Sequence, residues 1–331
     1  MATNRRVLSY EEIIQNLEGR GIMPKTAPAL EPTRRALATC GLNEWPFFRD
    51  FKNDPFKVVI VAGTNGKGSV CATLEALLTA AGERVGLYTS PHLQDTTERI
   101  RIGGADVSRE HFSDAFFKVS EKLGDVQLTH FEMITVMAVW LFASGETLPP
   151  VDRIILEVGL GGLWDATNAV PHGACVITPL GMDHQNFLGP TIVDIAKNKF
   201  AVVPQERELG RPALVVHAKL PPETLELARQ VQSATRSRWI ESKSGQLHVE
   251  ATASEPRFIL DSPWGAARLS LPGPRGASNA MTALTMFEAL GFDPSRYLYA
   301  LTQVRWPGRM EKISEAPCPV YLSGDHNEQG V

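Results

Sequence analysis

Apolar positions fall into two spacings along the chain. Short runs of β-branched and aliphatic residues stand at "FKVVIVAG" (56–63), "RVGLYTS" (84–90), "DRIILEVG" (152–159) and "GACVITPLG" (173–181). Runs this short, apolar at successive positions and bounded by turn residues, predict strands buried on both faces. After the first run the period changes: Val70, Leu74, Leu77, Leu78 and Ala81 recur at helical spacing, with Gly82 as the expected C-terminal cap. "HFEMITVMAVWLFASG" predicts another helix, "SNAMTALTMFEALG" one from about Ser278 to Leu290, and "VLSYEEIIQNL" an amphipathic helix near the start. "ERIRIGG" adds a strand. From about residue 204 to 272 the pattern weakens into shorter pieces, "ALVVHA", "FILDS" and "ARLSLPG". Strands alternating with helices predict an α/β fold built on a doubly wound, mostly parallel sheet.

In such sheets ligands gather at the carboxyl ends of the strands. The first strand runs directly into "VAGTNGKGSV" (61–70). The usual phosphate-binding loop places Ser or Thr immediately after Gly-Lys and another Gly five positions before that pair. Here Gly68 follows Lys67, the hydroxyl comes one residue late at Ser69, and Val61 stands at the leading Gly position. Strand, Gly-rich loop and helix still aim backbone N–H groups at an anion, and Lys67 adds a mobile charge. Gly63, Thr64, Asn65, Gly66, Lys67, Gly68 and Ser69 are therefore candidate phosphate ligands.

Ser90, Glu157 and His184 are expected at neighbouring strand ends. Mg²⁺ takes hard oxygen ligands, which makes Glu157, beside "VGLGG", the best candidate; the alternative is a carboxylate that caps the next turn. Asp165 and Asn168, in "WDATN", follow in the same loop. Taken alone, His184 is equally a hydrogen-bonded structural residue, since Mg²⁺ prefers oxygen to imidazole. Ser90 is equally a turn residue before Pro91, and spacing does not separate Lys199 from a solvated helix lysine such as Lys197.

Composition narrows the class. A chain of 331 residues holds one large domain, or one and part of another. Its 43% hydrophobic and 21% charged content is that of a soluble globular protein. A formal charge of -4 gives no electrostatic case for nucleic acid as a partner. No apolar run approaches the ~20 residues of a membrane span, and the start has no apolar signal core. Cys40, Cys71, Cys175 and Cys318 lie far apart and read as reduced thiols of a cytoplasmic protein.

"VAGTNGKGSV", "GLYTSPHL…ERIRIGG", "HFEMIT", "EVGLGGLWDATN", "ITPLGMDHQNFLG" and "WPGRMEKI" occur in an order that resembles the folylpolyglutamate synthase/dihydrofolate synthase family of the Mur-ligase superfamily. The resemblance runs from about Tyr10 to the end, and it makes the displaced hydroxyl the family's own form of the loop. It implies a P-loop Mur-ligase-like domain over residues 1–304, carrying ATP and a folate-substrate surface. Residues 305–331 would then be the hinge and the beginning of a truncated, Rossmann-like C-terminal domain. It implies ATP phosphates on Gly63 to Ser69, with Lys67 at the β/γ end, and Mg²⁺ at Ser90, Glu157 and His184. Lys199 falls on the superfamily's carbamylated lysine, Asn279 on an adenine-side asparagine, and Arg309 on a phosphate-binding arginine. Lys67, Lys199 and His184 would be the catalytic group, and Pro91, His92, Phe131, Glu132, Asp165 and His326 the substrate side.

The implied reaction joins L-glutamate to dihydropteroate or a reduced folate in a cytoplasmic monomer, with no nucleic acid or membrane partner. Four departures from the family pattern stand out: Leu163 for a usual Arg; Arg275 and Gly276 for a His-Gln pair; Phe200 and Ala201 after Lys199; and Ser323 at an acid position, with Asp325 two residues on. Two alternatives remain open, a nucleotide-binding or regulatory fragment and another Mur-type amino-acid ligase. A GTPase is disfavoured by the lack of a guanine-reading motif.

Overall fold

The computed structural model describes residues 8–21, 29–49, 51–251, 256–314 and 320–324. Its main sheet contains β1 (Val58–Ala62), β2 (Val85–Tyr88), β3 (Ile100–Ile102), β4 (Ala105–Asp106), β5 (Arg153–Glu157), β6 (Ala174–Ile177), β7 (Leu214–His217) and β8 (Arg238–Glu241). The spatial order is β4-β3-β2-β5-β1-β6-β7-β8. Strands β2, β5, β1, β6, β7 and β8 run parallel, and β3 and β4 form an antiparallel edge. This is the expected α/β class with a mixed, mostly parallel sheet of eight strands.

All five residues of β1 are buried because helices cover both faces of the sheet. Val59 and Val61 face a core with Leu74 and Leu77 of the helix Lys67–Ala80 and Leu284 of the helix Gly273–Ala289. Val58 and Ile60 face the other core, with Met133 and Trp140 of the helix His130–Ala143. The two-residue alternation of a strand thus sorts neighbouring valines into separate layers. Register sets Val61 beside Glu157 and Ala62 beside Ile177, so three central strands end level with one another.

Some boundaries differ from the sequence expectation. The helix after the Gly-rich loop ends at Ala80, and Gly82 takes φ 93 just beyond it, the left-handed stop that glycine supplies. The helix expected from Ser278 begins at Gly273, since Pro274 in a first turn needs no N–H partner and fits there. Strands β9 (Gln246–Glu250), β10 (Arg257–Ser262) and β11 (Gly265–Leu269) form a separate antiparallel sheet with many exposed positions, which explains their weak apolar pattern. Strands β12 (Glu311–Ser314) and β13 (Val320–Leu322) pair as a two-stranded sheet after the "WPGRM" turn. Near the start, Ser9 and Glu12 make a capping box for the helix Tyr10–Glu18. Cys40, Cys71 and Cys175 are buried free thiols, and Cys318 lies outside the described residues. No described helix is long and apolar enough to cross a membrane.

Candidate active site

A cavity of about 820 Å³ opens at the carboxyl ends of the central strands. Its wall includes Gly63, Thr64, Asn65, Gly66, Lys67, Gly68 and Ser69, together with Ser90, Pro91, Glu157, His184, Lys199, Asn279 and Arg309. The chain brings these residues to one place from positions 63 to 309.

The Gly-rich loop is tied down at several points. The Thr64 hydroxyl donates to the Gly181 carbonyl at 3.1 Å and accepts from the Gly181 N–H at 3.0 Å, while the Thr64 N–H donates to the Pro179 carbonyl at 3.0 Å. Gly66 has φ 84, and a Cβ there would stand 2.3 Å from Asn279 Oδ1. Backbone and neighbour both demand glycine at that position. Lys67 Nζ donates to the carbonyls of Gly63 at 3.3 Å and Thr64 at 3.2 Å. Lys199, only 4% exposed, donates to the same Gly63 carbonyl at 2.7 Å. Burial pushes the Lys199 pKa down to about 7; Lys67 adds to the shift, and Asp183 and Asp165 oppose it.

Glu157 ends β5 as a buried carboxylate, and the Ser90 N–H donates to its Oε2 at 3.1 Å. Burial raises its pKa, opposed by Lys67, the Ser90 amide, Arg309 and Arg99. His184 does not sit at a strand end. It lies beyond the turn that follows β6, at φ 50, with its ring about half exposed and Nε2 3.9 Å from Asp183 Oδ1. Among the described residues no three His, Cys, Asp or Glu side chains form a ready metal cage.

The candidates assigned to the substrate side divide. Pro91 lines the cavity, whereas His92, Phe131, Glu132 and Asp165 do not. His92 Nδ1 accepts from Arg99 Nε at 2.8 Å, and burial followed by Arg99 lowers its pKa. Glu132 caps its own helix by accepting from the N–H and hydroxyl of Thr129, each at 2.8 Å. Asp165 is buried and accepts from the N–H groups of Gly159 and Leu160 at 3.0 Å, and from the Thr167 N–H at 3.0 Å and hydroxyl at 2.6 Å. It organises the loop after β5. Phe131 packs beneath Gly159 and against Tyr88. His326, with Asp325 and Asn327, lies outside the described residues.

Several cavity residues escaped the sequence reading: Asp183, Phe258, Leu271 and Met310. Asp183 had a visible signal, a carboxylate beside His184 in "GMDHQ". Phe258 had none, because β10 belongs to the weakly patterned stretch.

No protein-family model matches the sequence. The curated dihydrofolate synthase/folylpolyglutamate synthase of Escherichia coli (strain K12) is 34% identical over 273 residues, which cover 82% of this chain and 61% of that protein. The chain therefore spans less than two thirds of this relative's length. A solved FPGS–AMPPCP complex matches with a TM-score of 0.80 at 27% identity, over 98% of this chain and 78% of that one. E. coli FolC in complex with DHPP and ADP matches with a TM-score of 0.76 at 30% identity, over 99% of this chain and 73% of that one.

Proposed function

Because the chain belongs to the folylpolyglutamate synthase/dihydrofolate synthase family, we propose that it joins L-glutamate to the carboxylate of dihydropteroate or a reduced folate, converting ATP to ADP and phosphate. One observation carries the reading. A single cavity holds a phosphate-type loop with its lysine, a buried carboxylate at the end of the neighbouring strand β5 and a buried lysine of depressed pKa. The similarity to a FolC structure holding DHPP and ADP supports it. Residues 1–304 act as the nucleotide and substrate body, 305–331 as hinge and start of a C-terminal domain, in a cytoplasmic monomer.

In the proposed reaction a substrate carboxylate oxygen attacks the γ-phosphorus of ATP, and the bond to ADP breaks to leave an acyl phosphate. The glutamate amine then attacks the acyl carbon, loses a proton and expels phosphate as the amide forms. Loop N–H groups and Lys67 stabilise the charge that gathers on the transferring phosphoryl group. Lys67 exchanges its bonds to the Gly63 and Thr64 carbonyls for phosphate oxygens. Holding carboxylate and phosphate in line supplies much of the remaining acceleration.

The residues present fit Mg²⁺ of the phosphate-carried kind, which keeps several waters and needs only one or two carboxylates. Glu157 provides one: burial disfavours its anion, Lys67, Arg309 and Arg99 oppose that, and a bound cation would favour the anion further. Ser90 and His184 would complete the protein's share. Bound Mg²⁺ supplies Lewis acidity at the phosphates. A neutral Lys199 amine would add to CO₂, lose a proton and give a carbamate, an anionic support for a second Mg²⁺.

A second reading, nucleotide binding without ligation, is favoured by Ser323, which lines the cavity at the position where an acid is usual in the family pattern. The deciding experiment incubates the chain with Mg·ATP, glutamate and either dihydropteroate or tetrahydrofolate, then seeks glutamylated product and ADP by mass spectrometry. Product from either acceptor establishes the ligase and names its substrate. No product from folded chain that still binds ATP puts the second reading in its place.

A further inference from the structure

The phosphate loop departs from the usual pattern at Gly68, and the structure holds a physical reason. A Cβ at Gly68 would lie 2.3 Å from Cζ2, 2.6 Å from Cε2 and 2.8 Å from Nε1 of Trp306; these are its three nearest neighbours. Gly68 is the second residue of the helix Lys67–Ala80 and has no positive φ, so its backbone would accept a side chain. The indole excludes one. A hydroxyl cannot stand directly after Lys67 while Trp306 occupies that space, and the next residue, Ser69, carries it instead.

Trp306 opens the turn that leads out of the main body. Upstream, the Ser270 hydroxyl donates to the Val304 carbonyl at 2.7 Å. Downstream, Gly308 packs near Leu93 of the loop after β2, its backbone N–H donates to Glu311 at 2.8 Å, and its carbonyl accepts from the Gly324 N–H at 2.8 Å. Arg309 and Met310 then enter the cavity wall. One short segment thus presses an indole on the phosphate loop and, three residues later, delivers a guanidinium to the space the loop surrounds.

We propose that Trp306 is a positioning residue for nucleotide binding: it seats the hinge on Gly68, so that the loop amides and Arg309 are presented together to the same phosphates. This rests on the nucleotide reading of the loop given above. Trp306 acts through Gly68 and Arg309, and it lies outside the cavity wall.

The test is a steric cycle read by calorimetric titration with Mg·ADP on the full chain, each variant first checked for folding by circular dichroism and thermal melting. Trp306→Ala is expected to weaken binding about tenfold and Gly68→Ala about fiftyfold, while the double variant binds no more weakly than Trp306→Ala alone because the methyl now has room. Trp306→Phe, which keeps an aromatic ring on the glycine, should stay within about threefold of the parent. Binding by Trp306→Ala equal to the parent's, or a double variant showing both losses multiplied, overturns the coupling and leaves the nucleotide reading intact. A parent chain that does not bind Mg·ADP overturns both.

Discussion

Lys199 and Lys67 share one acceptor: their ammonium groups donate to the Gly63 carbonyl at 2.7 Å and 3.3 Å. A second cation beside an already buried amine makes its protonated form costly, and the Lys199 pKa falls to about 7. An unfolded lysine titrates near ~10.4, so the unfolded chain binds more protons between that value and about 7. Through this group the fold therefore gains stability as pH rises across that window, and carries the full burial penalty below it. As pH passes 7, Lys199 becomes a neutral nucleophile while ordinary lysines stay charged. Carbamate formed from ¹³C-bicarbonate, followed by NMR on the metal-free chain, should rise between pH 6 and 8 and vanish in Lys199→Ala. No signal at pH 8, together with full activity of Lys199→Ala, would remove the carbamate from the mechanism.

The family resemblance puts Asp165 on the substrate side, yet its carboxylate oxygens already accept four bonds from its own loop. An asparagine presents one acceptor oxygen and turns the other position into a donor, leaving backbone N–H groups of the buried loop without partners. Asp165→Asn should cost about 2 kcal/mol of stability and speed hydrogen exchange at the amides of Gly159 and Leu160. A variant with unchanged melting and exchange, but a raised KM for the folate substrate, would return Asp165 to the binding surface.

What was legible in the chain follows from burial. Strands β1, β5 and β6 lie between two helical layers, so all of β1 and β6 and the centre of β5, Ile154 to Leu156, are apolar and the runs stand out. The Gly-rich loop was legible because both of its flanks were. Lys199 differs from Lys197 in the phase of the helix Ile192–Phe200: it stands on the buried face with Ile195, Ala196 and Phe200 while Lys197 is exposed, but its bond to the Gly63 carbonyl is tertiary and no spacing records it. His184, expected at a strand end, is carried by the turn after β6 to the N-cap of the short helix Gln185–Leu188, a connection that no periodicity records. In the sequence Trp306 is only part of the hinge implied for residues 305–331, since contact with Gly68 across more than two hundred positions leaves no local trace.

Gly66 and Gly68 should respond differently to the same methyl. At Gly68 the nearest obstacle is the indole, and no positive φ opposes a side chain. At Gly66 the methyl meets Asn279 Oδ1 at 2.3 Å and must also hold φ 84, which L-residues resist. Gly66→Ala is therefore expected to reduce nucleotide affinity by more than about thirtyfold and to cost about 1–3 kcal/mol of stability, with only partial recovery when Asn279→Ala is added. Complete recovery in that pair would show that the backbone conformation contributes nothing, and that contact with Asn279 alone fixes the glycine.

Away from the cavity, Glu75 offers a stability test with a defined sign. It lies buried on the inner face of the helix Lys67–Ala80, with Oε2 3.2 Å from Arg101. Burial raises its pKa to about 7 against the opposing pull of Arg101. Unfolded, a glutamate titrates near ~4.3, so between that value and about 7 the folded chain holds the extra proton. Stability through Glu75 is thus greatest on the acid side and falls as pH rises through this window, by about 4 kcal/mol at roughly 1.4 kcal/mol per unit. Glu75→Gln has no proton to lose. Urea unfolding at pH 4.5, 6 and 7.5 should show the variant gaining on the parent as pH increases, even though it also loses its ionic partner. A difference that stays constant with pH would mean that Arg101 fully offsets the burial and holds the carboxylate at its ordinary pKa.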